Sequence, residues 1–194
     1  MNNVFTYSNR ILLRALEPED LELMYSIENS PEQWMVSNTT APYSRYFIRH
    51  YITHTQSDIH AERQLRLVIE ERETGEPVGM IDLFNFDPLH NRAEIGIATL
   101  KRYRRRGYAS DAVRQLVDYS FLFLHMHQLY VYIPADNPAS LRLFKGSGFK
   151  RTGRLKDWVR RPDGYVDAVV MQLFAEETPS GGDSQGDNSS PSVL

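Results

Sequence analysis

The feature that most constrains this fold is a long amphipathic segment between two strand-like segments. Residues 108–125 repeat apolar side chains at helical spacing over about five turns. EIGIATL precedes this segment and QLYVYIPA follows it, both with the composition of strands. A parallel pair of strands needs a long crossover connection, usually a helix, whereas antiparallel neighbours need only a short turn. The chain therefore crosses over after this helix.

The remaining segments supply an element order that fits a mixed sheet. Before the long helix, the sequence predicts a strand, two helices and three meandering strands, with a hairpin at TGEP. After it come a strand, a short helix with Gly148 near its end, and two strands joined at Pro-Asp-Gly. We therefore predict an α/β (α+β) fold, a mixed central sheet with helices on its faces.

Length and composition exclude several classes of protein. A chain of 194 residues is typical of one domain, and the absence of cysteine excludes disulfides, cysteine-ligated zinc and thiol catalysis. No apolar run reaches about 18 residues, and the first ten residues lack a signal-peptide core, so we expect a soluble cytoplasmic protein without a membrane partner. We expect a domain over 1–175 and a disordered acidic tail over 176–194, rich in Gly and Ser.

A basic loop, KRYRRRGYAS, lies between the EIGIATL strand and the long helix. A helix N-terminus carries unpaired N–H groups and a partial positive charge, so such a loop can bind a phosphate or diphosphate. Gly107 lets the backbone approach a ligand, and Ala109 leaves room beside it. A solvated basic loop remains the alternative. Residues 1–175 balance 22 basic against 21 acidic side chains, so no global charge favours nucleic acid.

The loop resembles a known cofactor motif. Arg104 to Ala109 is similar to the R/Q-x-x-G-x-G/A acetyl-CoA loop of the Gcn5-related N-acetyltransferases, the GNAT family, with a strand before and a helix after. Asn137-Pro138-Ala139-Ser140 followed by Gly148-Phe149 is similar to that family's second cofactor segment. The likeness runs over residues 10–174 and is closest to the spermidine and ribosomal-protein N-terminal acetyltransferases.

The resemblance implies a fold, a cosubstrate and a set of contacts. Its sheet would be mostly antiparallel, with the fourth and fifth strands splayed apart at one end. The backbone of Ile97, Ala98 and Thr99 would receive the acetyl and pantetheine groups of acetyl-CoA. The implied diphosphate-binding residues are Arg104, Arg105, Arg106, Gly107, Tyr108, Ala109 and Ser110. The second segment would add Asn137, Ser140 and Phe144 as further cofactor-binding residues.

Acetyl transfer to an amine requires the amine to be neutral. A primary amine of pKa about 10.4 costs on the order of 4.6 kcal/mol to deprotonate at pH 7, so a carboxylate is expected near the acetyl group. Glu94, on the strand leading to the cofactor, is the first candidate, as a base or as an anchor for a cation. Pairing with Arg92 is the alternative. Asp82 is the second candidate, although a structural role is favoured for it.

Two positions depart from the family pattern. Many relatives protonate the leaving thiolate with a tyrosine, whereas this chain has Phe144, so Ser140 or a water is the expected substitute. Asn137 is expected to bind pantetheine or the catalytic water, or only to cap its helix. Asn85 stands where the spermidine enzymes carry an acid, which puts a polyamine-specific site in doubt.

The acceptor site is the least specified part of the sequence. Glu32 is the only acid in the loop after the first helix, and Trp34, Met35 and Tyr43 either line an acceptor pocket or pack into the core. His50 and His54 have the spacing of metal ligands but no acidic third ligand at a suitable spacing, so no metal is expected.

The favoured function is acetyl transfer from acetyl-CoA to a small polyamine-like amine, by direct attack and without a covalent enzyme intermediate. The alternatives are protein N-terminal acetylation, a non-catalytic CoA-binding module, and a phosphate or nucleic-acid binder. We also expect a homo-oligomer, because dimers or larger assemblies are common among the spermidine and ribosomal-protein acetyltransferases that the sequence resembles.

Overall fold

The computed structural model describes residues 8–34, 39–56 and 58–175, and Met35 and the tail from 176 fall outside them. In the described part, one sheet contains β1 (Ile11–Arg14), β2 (Leu65–Glu71), β3 (Pro77–Asp87), β4 (Arg92–Thr99), β5 (Gln128–Pro134), β6 (Lys150–Arg161) and β7 (Gly164–Phe174). The α-helices are α1 (Leu21–Glu28), α2 (Pro31–Trp34), α3 (Arg45–His54), α4 (Ile59–Glu62), α5 (Tyr108–Asp118) and α6 (Pro138–Gly146).

The sheet is mostly antiparallel and opens at its centre. Its strand order is β1-β2-β3-β4-β5-β7-β6, and only the β4–β5 pair is parallel. That pair has three partnered positions, with Arg92 opposite Gln128 and Glu94 opposite Tyr130, after which the two strands part. The predicted mixed sheet and the splay between the fourth and fifth strands are confirmed.

Helices cover both faces of the sheet because its central strands alternate two sets of apolar residues. On one face, Ile81 and Ile95 pack into a core with α5 and α6, represented by Leu116 and Phe144. On the other face, residues of β2 and β3 pack with α1 and α3 in a second core of Leu23, Ile27, Ile48, Val68 and Met80.

The helical segments differ from the sequence prediction in three places. The long helix is α-helical only over α5 and continues as a π-helical turn, Tyr119–Phe123, where the buried Ser120 hydroxyl donates to the Leu116 carbonyl at 2.7 Å. The short helices α2 and α4, four residues each, were not predicted between the first two strands. A single turn is too short to show helical periodicity.

In the described part of the chain, no helix combines the length and apolar character needed to cross a membrane.

Candidate active site

The basic loop forms a backbone turn that fits an anion. Arg105 and Gly107 have positive φ angles of 64° and 86°, and α5 begins at the next residue, Tyr108. Left-handed residues in such a turn let successive N–H groups converge on one point. The N–H of Asp111 donates to the Gly107 carbonyl at 3.1 Å, which is the first hydrogen bond of the helix. The N–H groups of residues 108–110 come before it and therefore have no acceptor within the helix. The loop therefore presents backbone donors beside several arginines.

Two tyrosines attach this loop to the β2–β3 hairpin. The Tyr103 hydroxyl hydrogen-bonds to the carboxylate of Glu76, and the Tyr108 hydroxyl to that of Glu71. The hydrogen bond from Tyr108 lowers the pKa of the Glu71 carboxyl, so this acceptor stays ionised. The Arg104 Nε atom also donates to the Thr99 carbonyl at 3.2 Å. Both ends of the turn are therefore held in place.

The open edge of β4 leads directly to that loop. Ile97, Ala98 and Thr99 pair with β3 on one side, while the pairing with β5 ends at Glu94 on the other side. Gly79 makes the close approach of β3 possible, because a Cβ atom there would lie 2.3 Å from the Ala98 carbonyl oxygen. Backbone groups at residues 97–99 therefore border the gap between the splayed strands.

Glu94 lies at the point where β4 and β5 part. A bulge in β3 gives Asn85 a φ angle of 51°, and the Asn85 Nδ2 atom donates to Glu94 Oε2 at 3.0 Å. Burial raises the pKa of the Glu94 carboxyl, although hydrogen bonds from Asn85 and from the Tyr132 backbone oppose the rise. The site thus contains one oriented, half-buried carboxylate at the mouth of the splay.

A cavity of about 380 Å³ lies on the same side of the sheet, beside the strand that carries Glu94. Its walls include Arg92, Gln128, Tyr130, Tyr132, Thr152 and Gln172. Burial, reinforced by the Glu94 carboxylate, raises the pKa of Tyr130 to about 12, so its hydroxyl stays protonated. Arg92 pairs with Asp87 at 3.2 Å and Gln172 Nε2 donates to Gln128 Oε1 at 2.6 Å. Tyrosine rings and amides therefore dominate this cavity.

The predicted substrate-binding residues separate into two groups. Glu94 and Asn85 are hydrogen-bonded to each other, whereas Asp82 pairs with Arg66 at 2.7 Å and Arg66 pairs with Glu28 at 2.7 Å. Burial opposes the charge on Arg66, but the two carboxylates raise its pKa overall. The Asp82 carboxylate is therefore part of a structural ion pair, which is the role that the sequence favoured for it.

The described contacts of Trp34 and Tyr43, in the segment after α1, are with neighbouring residues of that segment and of α1 and α3. Trp34 is exposed and its Nε1 atom donates to the Glu28 carbonyl at 2.8 Å. Tyr43 stacks on Phe47 with ring centroids 5.2 Å apart. Glu32 lies on α2, and its side chain falls outside the described part of the structure.

The second predicted cofactor segment has a clear structural role at the start of α6. The Asn137 side-chain oxygen accepts from the Ser140 N–H at 3.1 Å and caps the helix. Phe144 is buried and packs edge-on against Phe149, with ring centroids 5.1 Å apart. Phe144 therefore carries no proton donor, and Ser140, half-buried one turn earlier, is the nearest hydroxyl in that helix.

Several functional contacts were not predicted from the sequence. The Asn85 contact depends on a bulge, and the carboxylate partners of Tyr103 and Tyr108 lie about 30 residues away. The alternating pattern of QLYVYIPA could have placed Tyr130 and Tyr132 together on the polar face of β5.

The paired histidines show no metal site. His50 and His54 stack on each other with ring centroids 3.9 Å apart. Over residues 8–34, 39–56 and 58–175, no group of three or more His, Cys, Asp or Glu could hold a metal ion.

Comparison with known proteins identifies the family of this chain. Residues 10–150 match the family model of the acetyltransferase (GNAT) domain. The chain is 26% identical over 167 residues to the spermidine N(1)-acetyltransferase of Vibrio cholerae, covering 86% of this chain and 94% of that protein. The crystal structure of the Vibrio cholerae spermidine N-acetyltransferase with CoA and spermine gives a TM-score of 0.75 at 26% identity, covering 86% of this chain and 96% of that chain.

A dodecameric structure of the Vibrio cholerae enzyme gives a TM-score of 0.72 at 25% identity, covering 86% of this chain and 95% of that chain. The domain match, which spans well over half of the chain, and the splayed sheet lead to one conclusion: the protein belongs to the GNAT family and is an acetyl-CoA-dependent N-acetyltransferase.

Proposed function

We propose that the protein transfers the acetyl group of acetyl-CoA to a primary amine by direct attack, with Glu94 as the base. One observation carries this proposal. Strand β4 holds the half-buried Glu94 carboxylate at the point where β5 separates from it. The same strand continues as an open backbone edge at residues 97–99, and the basic turn follows directly after it. A base, a thioester channel and a diphosphate site thus follow each other along one short stretch of sequence, from Glu94 to Ser110.

The residues present fit acetyl-CoA. Gly107 has a φ angle of 86°, a conformation that residues with a side chain rarely adopt, so glycine suits this turn. We assign the diphosphate to the amides and arginines of residues 104–110, and the pantetheine arm to the edge of Ile97, Ala98 and Thr99. When bound, acetyl-CoA supplies an acetyl group activated as a thioester.

Glu94 performs the proton transfer in this proposal. Its carboxylate accepts a proton from the attacking amine, directly or through one water. The raised pKa brings this base closer to neutrality, which makes proton transfer more favourable than for an exposed glutamate. Asn85 and the Tyr132 backbone N–H hold the carboxylate at the mouth of the splay.

Thiol release needs less help than amine deprotonation. A thiol has a pKa of about 8.5, so its anion leaves without a strong acid. We assign the proton donation to the Ser140 hydroxyl or an ordered water, since Phe144 is buried in the core. Asn137 uses its side-chain oxygen for the helix cap, and its amide nitrogen is the group we assign to pantetheine or to that water.

The favoured acceptor is a small, polyamine-like primary amine. The comparison proteins named for spermidine support this choice. Tyr130 and Tyr132, with ring centroids 5.6 Å apart, lie beside Glu94 and suit an alkylammonium chain through cation–π contacts and charge.

A second candidate acceptor is the N-terminus of a peptide. Gln128, Gln172 and Arg92 line the adjoining cavity and could hydrogen-bond peptide carbonyls. A second ammonium group of a polyamine would bind best beside a carboxylate, and the described walls of this cavity contain none. This observation favours the peptide.

An acceptor screen tests the proposal. Purified protein is incubated with acetyl-CoA and, separately, spermidine, simple monoamines, amino acids and short peptides, and both thiol release and acetylated product are measured. We expect spermidine-like amines to give the highest kcat/KM. If peptides do so, the second candidate replaces the first. Tight CoA binding without thiol release from any amine would identify a non-catalytic CoA-binding module.

We also propose a homo-oligomer. The dodecameric Vibrio cholerae structure supports this assignment. Light scattering on the purified chain tests it, and a monomer at every concentration would contradict it.

A further inference from the structure

We propose that Arg10 is a positioning residue for the diphosphate site, acting by neutralising Asp111 and fixing the carbonyl of Arg106. This inference rests on the proposed binding of acetyl-CoA at residues 104–110. Arg10 lies immediately before β1, far from the loop in sequence, and belongs to no part of the cofactor motif.

One guanidinium group contacts both sides of the turn at Gly107. The Arg10 Nη1 atom donates to the Arg106 carbonyl at 3.0 Å. The Nε and Nη2 atoms of Arg10 contact Asp111 Oδ2 at 2.9 Å and 2.6 Å. Between these contacts, Gly107 leaves the space that the guanidinium fills. Arg10 thus connects the residue before the turn with the first helical turn after it.

Asp111 makes this contact electrostatically important. Its side chain is only 12% exposed and lies in the first turn of α5, the end that we assign to the diphosphate. A lone carboxylate there would repel a dianionic ligand and would itself occupy the positive end of the helix dipole. The opposite charge of Arg10 at 2.6 Å cancels most of that repulsion. The two charges therefore offset each other, and the positive potential of the loop remains available to attract the ligand.

Arg10 is itself held by the N-terminal segment. Its backbone N–H donates to the Ser8 hydroxyl at 3.1 Å, and its carbonyl accepts from the Arg72 N–H at 2.9 Å. The Arg72 side chain donates to the carbonyls of Ser8 and Ile11 at 3.0 Å and 2.8 Å. Arg72 thus helps to position Arg10 itself. The matched control is Arg45→Ala, because Arg45 lies in α3 on the other face of the sheet and its ion-paired side chain is 53% exposed, against 54% for Arg10.

Calorimetry with CoA, which needs no turnover, tests the inference on wild type, Arg10→Ala, Asp111→Asn, the double variant and the control Arg45→Ala. We expect Arg10→Ala to weaken CoA binding about tenfold, because Asp111 then loses its cationic partner and keeps only the hydrogen bond from the Ser8 hydroxyl at 3.3 Å. The double variant should return to within about threefold of wild type, since the repelling carboxylate is gone. Arg45→Ala should stay within about twofold of wild type, because its ion pair with Glu22 lies away from the loop.

A truncated substrate gives a second readout. Acetyl-pantetheine lacks the diphosphate, so Arg10→Ala should leave its KM unchanged while raising the KM for acetyl-CoA. A general loss of structure would affect both thioesters. Arg10→Lys, which keeps the charge but loses the two-sided contact, should lie between wild type and Arg10→Ala.

Three results would overturn the inference: wild-type affinity in Arg10→Ala, a double variant no tighter than Arg10→Ala, or equal KM changes for both thioesters. If Arg10→Ala does not fold, the CoA affinity of Asp111→Asn tests the inference instead. Removal of the carboxylate should leave this affinity equal to that of wild type or higher, and a loss above about threefold would contradict the inference. A wild-type protein that binds no CoA would refute the proposed function itself, whereas wild-type binding with an indifferent Arg10 refutes only this inference.

Discussion

The two ends of β4 are built in different ways. At its C-terminal end, the cofactor turn is attached by contacts from separate parts of the chain: Tyr103 to Glu76, Tyr108 to Glu71, and Arg10 to both sides of Gly107. At the Glu94 end, the acceptor site depends on one carboxylate, one bulge and an open cavity.

This difference separates a fixed function from a variable one. In the proposed site, the turn binds through backbone N–H groups, so its shape must be maintained by the surrounding side chains. The proposed acceptor end binds through side chains on an open face of the sheet, so a few substitutions can change the substrate without disturbing the fold. We therefore expect changes at the turn to abolish binding, and changes at the acceptor end to alter catalysis or specificity.

The largest effect is expected at the turn. Gly107→Glu should weaken CoA binding by at least about 100-fold, because a side chain at a φ angle of 86° strains the turn, displaces the Arg10 guanidinium and brings negative charge to the proposed diphosphate site. Isothermal calorimetry with CoA measures this loss. Gly75→Glu is the control, since Gly75 also has a positive φ of 71° but a Cβ atom there would meet nothing within 4 Å. Equal affinities for both variants would show that the turn does not bind CoA.

A change at the acceptor end should leave binding intact and slow catalysis. Glu94→Gln should lower kcat about 100-fold while CoA affinity stays within about twofold of wild type. Because the pKa of Glu94 is raised, the wild-type rate should fall with decreasing pH already above the usual range of a glutamate, and this limb should vanish in the variant. Glu73→Gln, at an exposed carboxylate, is the control. An unchanged pH profile would exclude Glu94 as the base.

A variant of Asp82 tests whether this carboxylate stabilises the fold or binds the substrate. Asp82→Asn should lower the free energy of unfolding by about 2 kcal/mol, because Arg66 loses one of its two carboxylate partners. The KM for the amine should remain within about twofold of wild type. Denaturant unfolding and steady-state kinetics measure the two quantities. A raised amine KM with normal stability would return Asp82 to the acceptor site.

The smallest effect is expected from the bulge residue that orients the base. Asn85→Gly keeps the positive φ angle without strain but removes the hydrogen bond that lowers the pKa of Glu94. The acid limb of the pH–rate profile should therefore shift to higher pH, with a severalfold loss of rate below the shifted pKa and little loss above it. A shift to lower pH would contradict the assigned role of Asn85.

The sequence predicted the parts of the molecule that depend on local pattern. The strand, turn and helix around Gly107 could be read from charge, glycine position and apolar spacing, and the Asn137 cap from its place before Pro138. The fourth and fifth strands separate as the family resemblance implied.

The remaining contacts depend on distant parts of the chain. Arg10 and Asp111 are 101 residues apart, and nothing in the local sequence around either residue indicates their pairing. Asn85 contacts Glu94 only because β3 contains a bulge, which shifts the register after Phe84. The structural role of Asp82 depends on Arg66, which pairs with both Asp82 and Glu28. Tertiary packing sets the partner of an acidic residue, so the local sequence does not show it.

Hydrogen exchange on the intact chain, with and without CoA, tests the central claim most directly. CoA bound in the splay and on the turn should slow exchange of the amides across residues 97–110 by at least about tenfold, while the α3 segment, Arg45–His54, stays unchanged. CoA binding that leaves residues 97–110 unprotected, or that protects a different region, would contradict the account.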